Sequence, residues 1–338
     1  MLCNSRLDRR THLLSAILLA AHSLSPVLHS QTTTATQAAS LNTPYTPSGT
    51  VDRDPAFRHL SALRVGVDLV LVPVTVIDEM NRPVMGLGKQ HFRVYEDNDP
   101  QQISLFTEED APISVGLLLD VSRSMSNKFV TERAAVEAFF NNANPKDDYF
   151  VITFADHPKL LTSASQSIEE IQQALAANIP EGQTALLDAV YLAMSKMRSA
   201  KHDRRVLLII SDGGDNHSRY GMKEIKSLVA EANVQVYSIG IFDSGVFRSF
   251  EEFMGKRWLG EITDVTGGRT VAAGKLGQIP ELAATLSREM RNQYVIGYRP
   301  SSAPSDGKWR KIRVLVTAPE SNAKVHAYYK KGYMAAGK

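Results

Sequence analysis

"LLLDVSRSMSNKF", residues 117–129, governs how the rest of the chain is read. An apolar run ends on Asp120, and two hydroxyls come next at alternate positions, Ser122 and Ser124. The run is short, continuously apolar and closed by polar residues, the pattern of a strand buried on both faces. The polar loop after Asp120 has two readings. Ser and Asp side chains satisfy the free N–H groups at a helix start, so the loop can be a cap. The same oxygens, aimed at one point, can hold a hard cation.

From Ile113 onward, strands and helices alternate. "ISVGLLLD" is a strand, and the helix after it carries Val136, Phe139 and Phe140 at i, i+3 and i+4. "YFVITFA" is the next strand. "TALLDAVYLAMSKM" is a helix with Leu186, Val190, Ala193, Met194 and Met197 on one stripe. "RRVLLIIS" and "VQVYSIGIF" are strands on either side of the helix "GMKEIKSLVAEA". "EEFMGKRWLGEITDVTGG" and "QIPELAATLSREM" read as helices around a short strand "RTVAA". Apolar strands separated by amphipathic helices predict a doubly wound, mostly parallel α/β domain over residues 111–291.

The flanks have a different rhythm. Residues 63–110 hold the strand "VDLVLVPVTVID", then "HFRVYEDNDPQQISLF", read as two strands joined across "EDNDP". Residues 292–334 hold three more strands, "NQYVIGYRP", "KWRKIRVLVT" and "KVHAYYKKGYM". Three strands cannot stand alone comfortably, so the two flanks are expected to pair as one small β-sandwich-like module.

The chain of 338 residues is 43% apolar and 22% charged, an ordinary globular composition. Residues 1–30 read as a secretory signal: Arg6, Arg9 and Arg10 precede the apolar run "HLLSAILLAAHSLSPVL". Cleavage near Ser30 and retention as an N-terminal anchor are both compatible with that pattern. This segment holds the chain's surplus positive charge, so the remainder is near neutral and bulk charge offers nothing to a nucleic acid. The single cysteine, Cys3, precedes the apolar run, which leaves the exported chain without a thiol and suits a bacterial periplasm or surface. Residues 31–62, rich in Thr, Ser, Ala and Gln, read as a disordered linker.

In open α/β sheets, ligands bind at the carboxyl ends of the strands, where the winding reverses. Three stretches deliver oxygen there: Asp120, Ser122 and Ser124 after one strand, Thr184 before a helix, and Asp212 after "RRVLLIIS". Two carboxylates and three hydroxyls, without His or Cys, suit Mg²⁺, or Mn²⁺ or Ca²⁺, and suit zinc poorly. Asp215 is read as a solvated turn residue, with an approach to the metal as the alternative.

"DVSRSMS", "EGQTALLDAV" and "LLIISDGGDN", in that order, resemble the three pieces of the metal-ion-dependent adhesion site of the von Willebrand factor type A domain. The resemblance covers roughly residues 112–290 and implies Asp120, Ser122 and Ser124 as the first ligand group. It further implies Thr184 as a conditional ligand and Asp212 acting directly or through water. The flanks resemble those of exported acidobacterial proteins related to this domain. The family resemblance implies protein binding through the cation, completed by an Asp or Glu of a partner, with no nucleic acid and no small-molecule cofactor.

Other chemistries find less support. "GGRTVAAGKL" has the wrong spacing for a phosphate loop and no Ser or Thr after Lys275. No Gly-x-Ser-x-Gly elbow surrounds the serines. Histidines 59, 91, 157, 202, 217 and 326 show no i, i+4 pair and read as surface or capping residues. "KWRKIRV" alternates charged and apolar residues, as a strand with one solvated face does. The expectation is therefore an exported, non-enzymatic, metal-dependent binding protein. The alternatives are an envelope scaffold in which the metal only stiffens loops, and, third, a metal-dependent hydrolase.

Overall fold

A computed structural model describes residues 69–162, 168–242, 250–301, 306–318 and 324–335. The expected signal and linker, residues 1–62, lie outside the described residues, as do residues 243–249 within the stretch "FDSGVFRSF". In chain order, β1 (Val70–Asp78), β2 (Phe92–Glu96), β3 (Asp99–Gln101) and β4 (Ile103–Glu109) come first. The α/β portion comes next with β5 (Ser114–Asp120), α1 (Phe129–Phe140), β6 (Asp148–Phe154), β7 (Pro158–Thr162) and α2 (Ile168–Ala176). It continues with α3 (Leu186–Met197), β8 (Arg205–Ser211), α4 (Met222–Glu231), β9 (Gln235–Ile241), α5 (Phe250–Thr266), β10 (Thr270–Ala273) and α6 (Ile279–Arg291). The described chain ends with β11 (Gln293–Tyr298), β12 (Trp309–Val316), β13 (Val325–Tyr329) and β14 (Gly332–Met334).

The central sheet runs β10-β9-β8-β5-β6-β7 and is parallel except for β7. Every residue of β5 is buried, and its side chains divide between the two faces. Leu117 and Leu119 join Val136 and Phe139 of α1 and Leu286 and Met290 of α6. Leu118 joins Val190 of α3, Ile225 of α4 and Leu259 of α5. This is why the run is continuously apolar: alternation cannot show when both faces are dry. From β5 the chain moves to β6 on one side and later crosses to β8 on the other. The winding therefore reverses between β5 and β8, and Asp120 and Ser211 end those two strands.

The flanks form two antiparallel sheets, β13-β1-β11-β4 and β14-β12-β2-β3. Between them lie Val72, Val74 and Val76 of β1, Phe92 and Val94 of β2, Tyr294, Ile296 and Tyr298 of β11, and Ile312 and Val314 of β12. The sandwich is thus built from both ends of the described chain, with four strands from each rather than three. β3 starts inside the expected turn "EDNDP", because the turn takes only two residues: Glu96 pairs with Asp99 across Asp97, which sits at φ 53°, and Asn98. The stretch "KVHAYYKKGYM" breaks at Lys330 and Lys331 into β13 and β14. On β12, Lys311 and Arg313 face solvent while Ile312 and Val314 are buried, as the alternation predicts.

Two elements of the α/β portion were not legible as such. "FADHPKL" reads as a loop but holds the start of the antiparallel edge strand β7, which begins on Pro158, where an edge tolerates proline. Helix α2 comes after it. The sandwich meets the central sheet through a buried polar knot. Gln293 Nε2 donates to Thr75 Oγ1 and Tyr237 OH, both at 3.1 Å.

Candidate metal centre

Asp120 is fully buried at the end of β5. Its Oδ1 accepts the Ser122 N–H at 3.0 Å, and its Oδ2 accepts the Ser211 hydroxyl at 2.6 Å. Ser122 is buried and extended at φ −72°, ψ 166°, and a single tight turn, Arg123–Met125, comes directly after it. The hydroxyls of Ser122 and Ser124 lie 3.0 Å apart. Neither caps a helix: α1 starts further on, at Phe129, and its N-cap residue Lys128 makes no side-chain cap bond. The capping reading of "DVSRSMS" therefore fails on geometry.

Thr184 is buried and stitched between its neighbours. On one side, Arg123 N–H donates to Gly182 O at 3.2 Å and Glu181 N–H donates to Val121 O at 3.0 Å. On the other, Thr184 N–H donates to Asn216 Oδ1 at 3.0 Å, and Thr184 O accepts the Asn216 and His217 N–H groups. Gly182 makes the turn at φ +80°, where a side chain would be strained and would also strike the Asp156 carboxylate. The loop after β5 and the loop after β8 thus each hold one side of the Thr184 segment.

Asp212 is buried beyond the end of β8, and its Oδ1 accepts the Gly214 N–H at 3.2 Å. Its Oδ2 lies 3.7 Å from Nζ of Lys128, a buried lysine that also donates to Ile241 O at 3.4 Å. Gly213 turns at φ +80° against the backbone of Gly255 in α5, and a Cβ on either glycine would lie 2.6 Å from the other's backbone. Sequence reading placed Asp215 in a solvated turn. Instead it is half-buried, accepting Leu187 N–H at 3.3 Å and the Ser218 hydroxyl at 2.5 Å, so it caps the start of α3.

The electrostatics of this cluster are one-sided. Burial, and next the charge of Asp212, push the Asp120 carboxyl up to about 7. Glu132 of α1 is also buried; its Oε1 accepts the Asp120 N–H at 3.1 Å, while Oε2 has no partner. Burial and the neighbouring Asp120 charge hold its carboxyl well above the ordinary range. Sequence reading missed Glu132, Lys128 and Ser211. The one available signal was a serine ending an otherwise apolar strand.

Among the described residues no three His, Cys, Asp or Glu side chains converge to hold a metal unaided. A cation here must use hydroxyls. The donor set of Asp120, Ser122, Ser124, Thr184 and Asp212 is hard and carries two negative charges, which fits a divalent ion that keeps some water. Two buried carboxylates that repel each other, with one lysine touching only Asp212, leave a deficit of positive charge at Asp120 that such an ion removes.

Residues 115–214 match the family model described as von Willebrand factor type A domain. The matched span opens within β5 and closes just past Asp212, so all five candidate ligands fall inside it. The central sheet with helices on both faces has the type A-like α/β architecture, and the strands of the two antiparallel sheets lie outside the matched span. No curated protein matches the chain. Among solved structures, the chain is similar to proximal thread matrix protein 1 from the mussel byssus, at 16% identity and TM-score 0.46, over 58% of this chain and 51% of that one. It is also similar to a von Willebrand factor type A protein from Catenulispora acidiphila, at 10% identity and TM-score 0.46, over 80% and 74%. A third is an aerotolerance-related membrane protein from Bacteroides fragilis, at 16% identity and TM-score 0.42, over 53% and 98%. The chain spans about half the length of the mussel protein. No helix among the described residues is long and apolar enough to cross a membrane.

Proposed function

We propose that the protein is an exported, non-enzymatic binding protein of a bacterial envelope or surface. In this reading it engages a protein partner through Mg²⁺, or Mn²⁺ or Ca²⁺. The cation is held by Asp120, Ser122, Ser124, Thr184 and Asp212, and an Asp or Glu of the partner completes its shell. The observation that carries this is the use of Ser122 and Ser124: their hydroxyls lie 3.0 Å apart beside buried Asp120 and cap nothing. Two carboxylates no more than neutralise a divalent ion, and hydroxyls and water fill the rest of its shell, so an exchangeable position is left for an incoming carboxylate. Elements bordering the site also expose large apolar side chains: Val130 is 79% exposed at the start of α1, Ile179 78% before Pro180, and Phe253 63% in the first turn of α5.

The test is capture from envelope extract in Mg²⁺ by the wild-type protein, by Asp120→Ala and by wild type in EDTA. A partner held only by the first supports the reading; the same proteins held by all three sink it. The scaffold reading keeps one observation of its own: Ser211, Gly182 and Asn216 already tie the three loops together by direct hydrogen bonds. It predicts lower thermal stability in EDTA with unchanged partner capture.

A further inference from the structure

His157 and His217 are far apart in sequence, yet their rings lie 5.7 Å apart between centroids and are tilted by 47°. Both are exposed. His157 sits in the turn between β6 and β7, and His217 in the loop after β8, beyond Asp212. Gln183 braces both turns. Its Oε1 is 3.1 Å from His217 Nδ1, and its N–H donates to Oδ1 of Asp156, next to His157, at 2.7 Å. An amide oxygen can only accept, so Nδ1 carries the proton and Nε2 of His217 keeps a free lone pair. A ring fixed by a hydrogen bond at one nitrogen while the other stays free is how imidazole ligands are oriented toward metals.

The spacing fits as well. A metal about 2.0–2.1 Å from one nitrogen of each ring places two imidazole centroids about 5–6 Å apart at ordinary coordination angles. We propose that His157 and His217 form a two-imidazole clamp for a borderline transition-metal cation, with Zn²⁺ as the reference ion and Ni²⁺ or Cu²⁺, which imidazole also binds, as alternative occupants. Imidazole selects these ions, whereas the oxygen set around Asp120 selects Mg²⁺ or Ca²⁺, so the two centres do not compete for one metal. Two protein ligands leave the remaining positions to water, so affinity is modest and an open position is kept. A metal in the clamp cross-links the β6–β7 turn to the loop after β8. Thr184 lies between them, its carbonyl accepting the His217 N–H at 3.1 Å. The clamp therefore stiffens the segment that carries Thr184 whether or not Asp120 holds an ion.

The experiment is calorimetric titration of Zn²⁺, then Ni²⁺, into the full chain without a polyhistidine tag. It compares wild type, Asp120→Ala, His157→Ala, His217→Ala and the double His→Ala variant, with imidazole ¹⁵N signals tracked by NMR. The expected result is one Zn²⁺ bound equally by wild type and Asp120→Ala. Each single His→Ala change weakens binding by about tenfold or more, and excess Mg²⁺ does not displace the zinc. Wild-type ring signals of both histidines shift together on titration. Zinc bound as tightly by the double variant, zinc lost in Asp120→Ala, or no zinc bound by the wild type would each overturn the clamp. None of these outcomes depends on the partner reading of the Asp120 centre.

Discussion

The hydroxyl of Ser211 donates to Oδ2 of Asp120 at 2.6 Å, while its oxygen accepts the Gly213 N–H at 2.8 Å. One side chain thus joins the ends of the two central strands and fixes the turn that carries Asp212. Ser211→Ala leaves both a buried carboxylate oxygen and a buried N–H without this partner. A loss of about 1–3 kcal/mol in chemical denaturation is expected, together with weaker Mg²⁺ binding. Unchanged stability and unchanged Mg²⁺ affinity would show that Ser211 only ends the strand.

Mg²⁺ itself is expected to stabilise the fold through Asp120. A ligand at 100 times its dissociation constant adds about 2.7 kcal/mol, read as a rise in melting temperature that Asp120→Ala abolishes. The pH dependence has a definite sign. Without metal, the raised Asp120 carboxyl makes the folded chain hold its proton more tightly than the unfolded chain. That contribution is full below the ordinary carboxylate range and is lost as pH rises to about 7. Mg²⁺ needs the carboxylate, so its affinity and its stabilising effect grow across the same interval. Equal Mg²⁺ stabilisation at about pH 5 and about pH 8 would contradict this.

The two glycines behind Asp212 give a test by sign. Gly255 lies inside α5, where alanine is normally better by about 0.8–1.0 kcal/mol. Its added Cβ would sit 2.6 Å from the Gly213 backbone, so Gly255→Ala is expected to destabilise, by about 1–3 kcal/mol. It should also displace Asp212 and weaken Mg²⁺ binding. A stabilised Gly255→Ala variant would mean that this contact yields freely.

How far the sequence could be read depends on the range of each interaction. Asp120, Ser122 and Ser124 were legible because a buried strand, its end and its loop are contiguous. Thr184 and Asp212 were legible because sheet topology places strand ends together. Ser211, Lys128 and Glu132 were not, since their partners depend on how α1 and β8 pack beside Asp120. The His157–His217 pair was invisible for the same reason: an i, i+4 search cannot see two loops meeting across Gln183. β7 was lost to its proline and its few residues, and β3 to a turn of only two residues, Asp97 and Asn98.

Lys330 tests the seam between sandwich and α/β portion. Its Nζ donates to Ala232 O, just past the end of α4, at 3.2 Å. Burial lowers its ammonium to about 8, with Glu231 opposing the shift. A depressed lysine contributes stability that is fully present above its unfolded value of 10.5 and is lost as pH falls through about 8. Wild type should therefore gain stability between about pH 8 and 10.5 relative to Lys330→Met. At about pH 7 the variant should be the more stable of the two by about 1–3 kcal/mol, the relieved burial of charge exceeding the one hydrogen bond removed. The measurement is the difference between their denaturation free energies at several pH values, which cancels the other groups titrating in that range. A difference that stays flat from about pH 7 to 10.5 would place the Lys330 ammonium in water and detach the β13–β14 turn from α4.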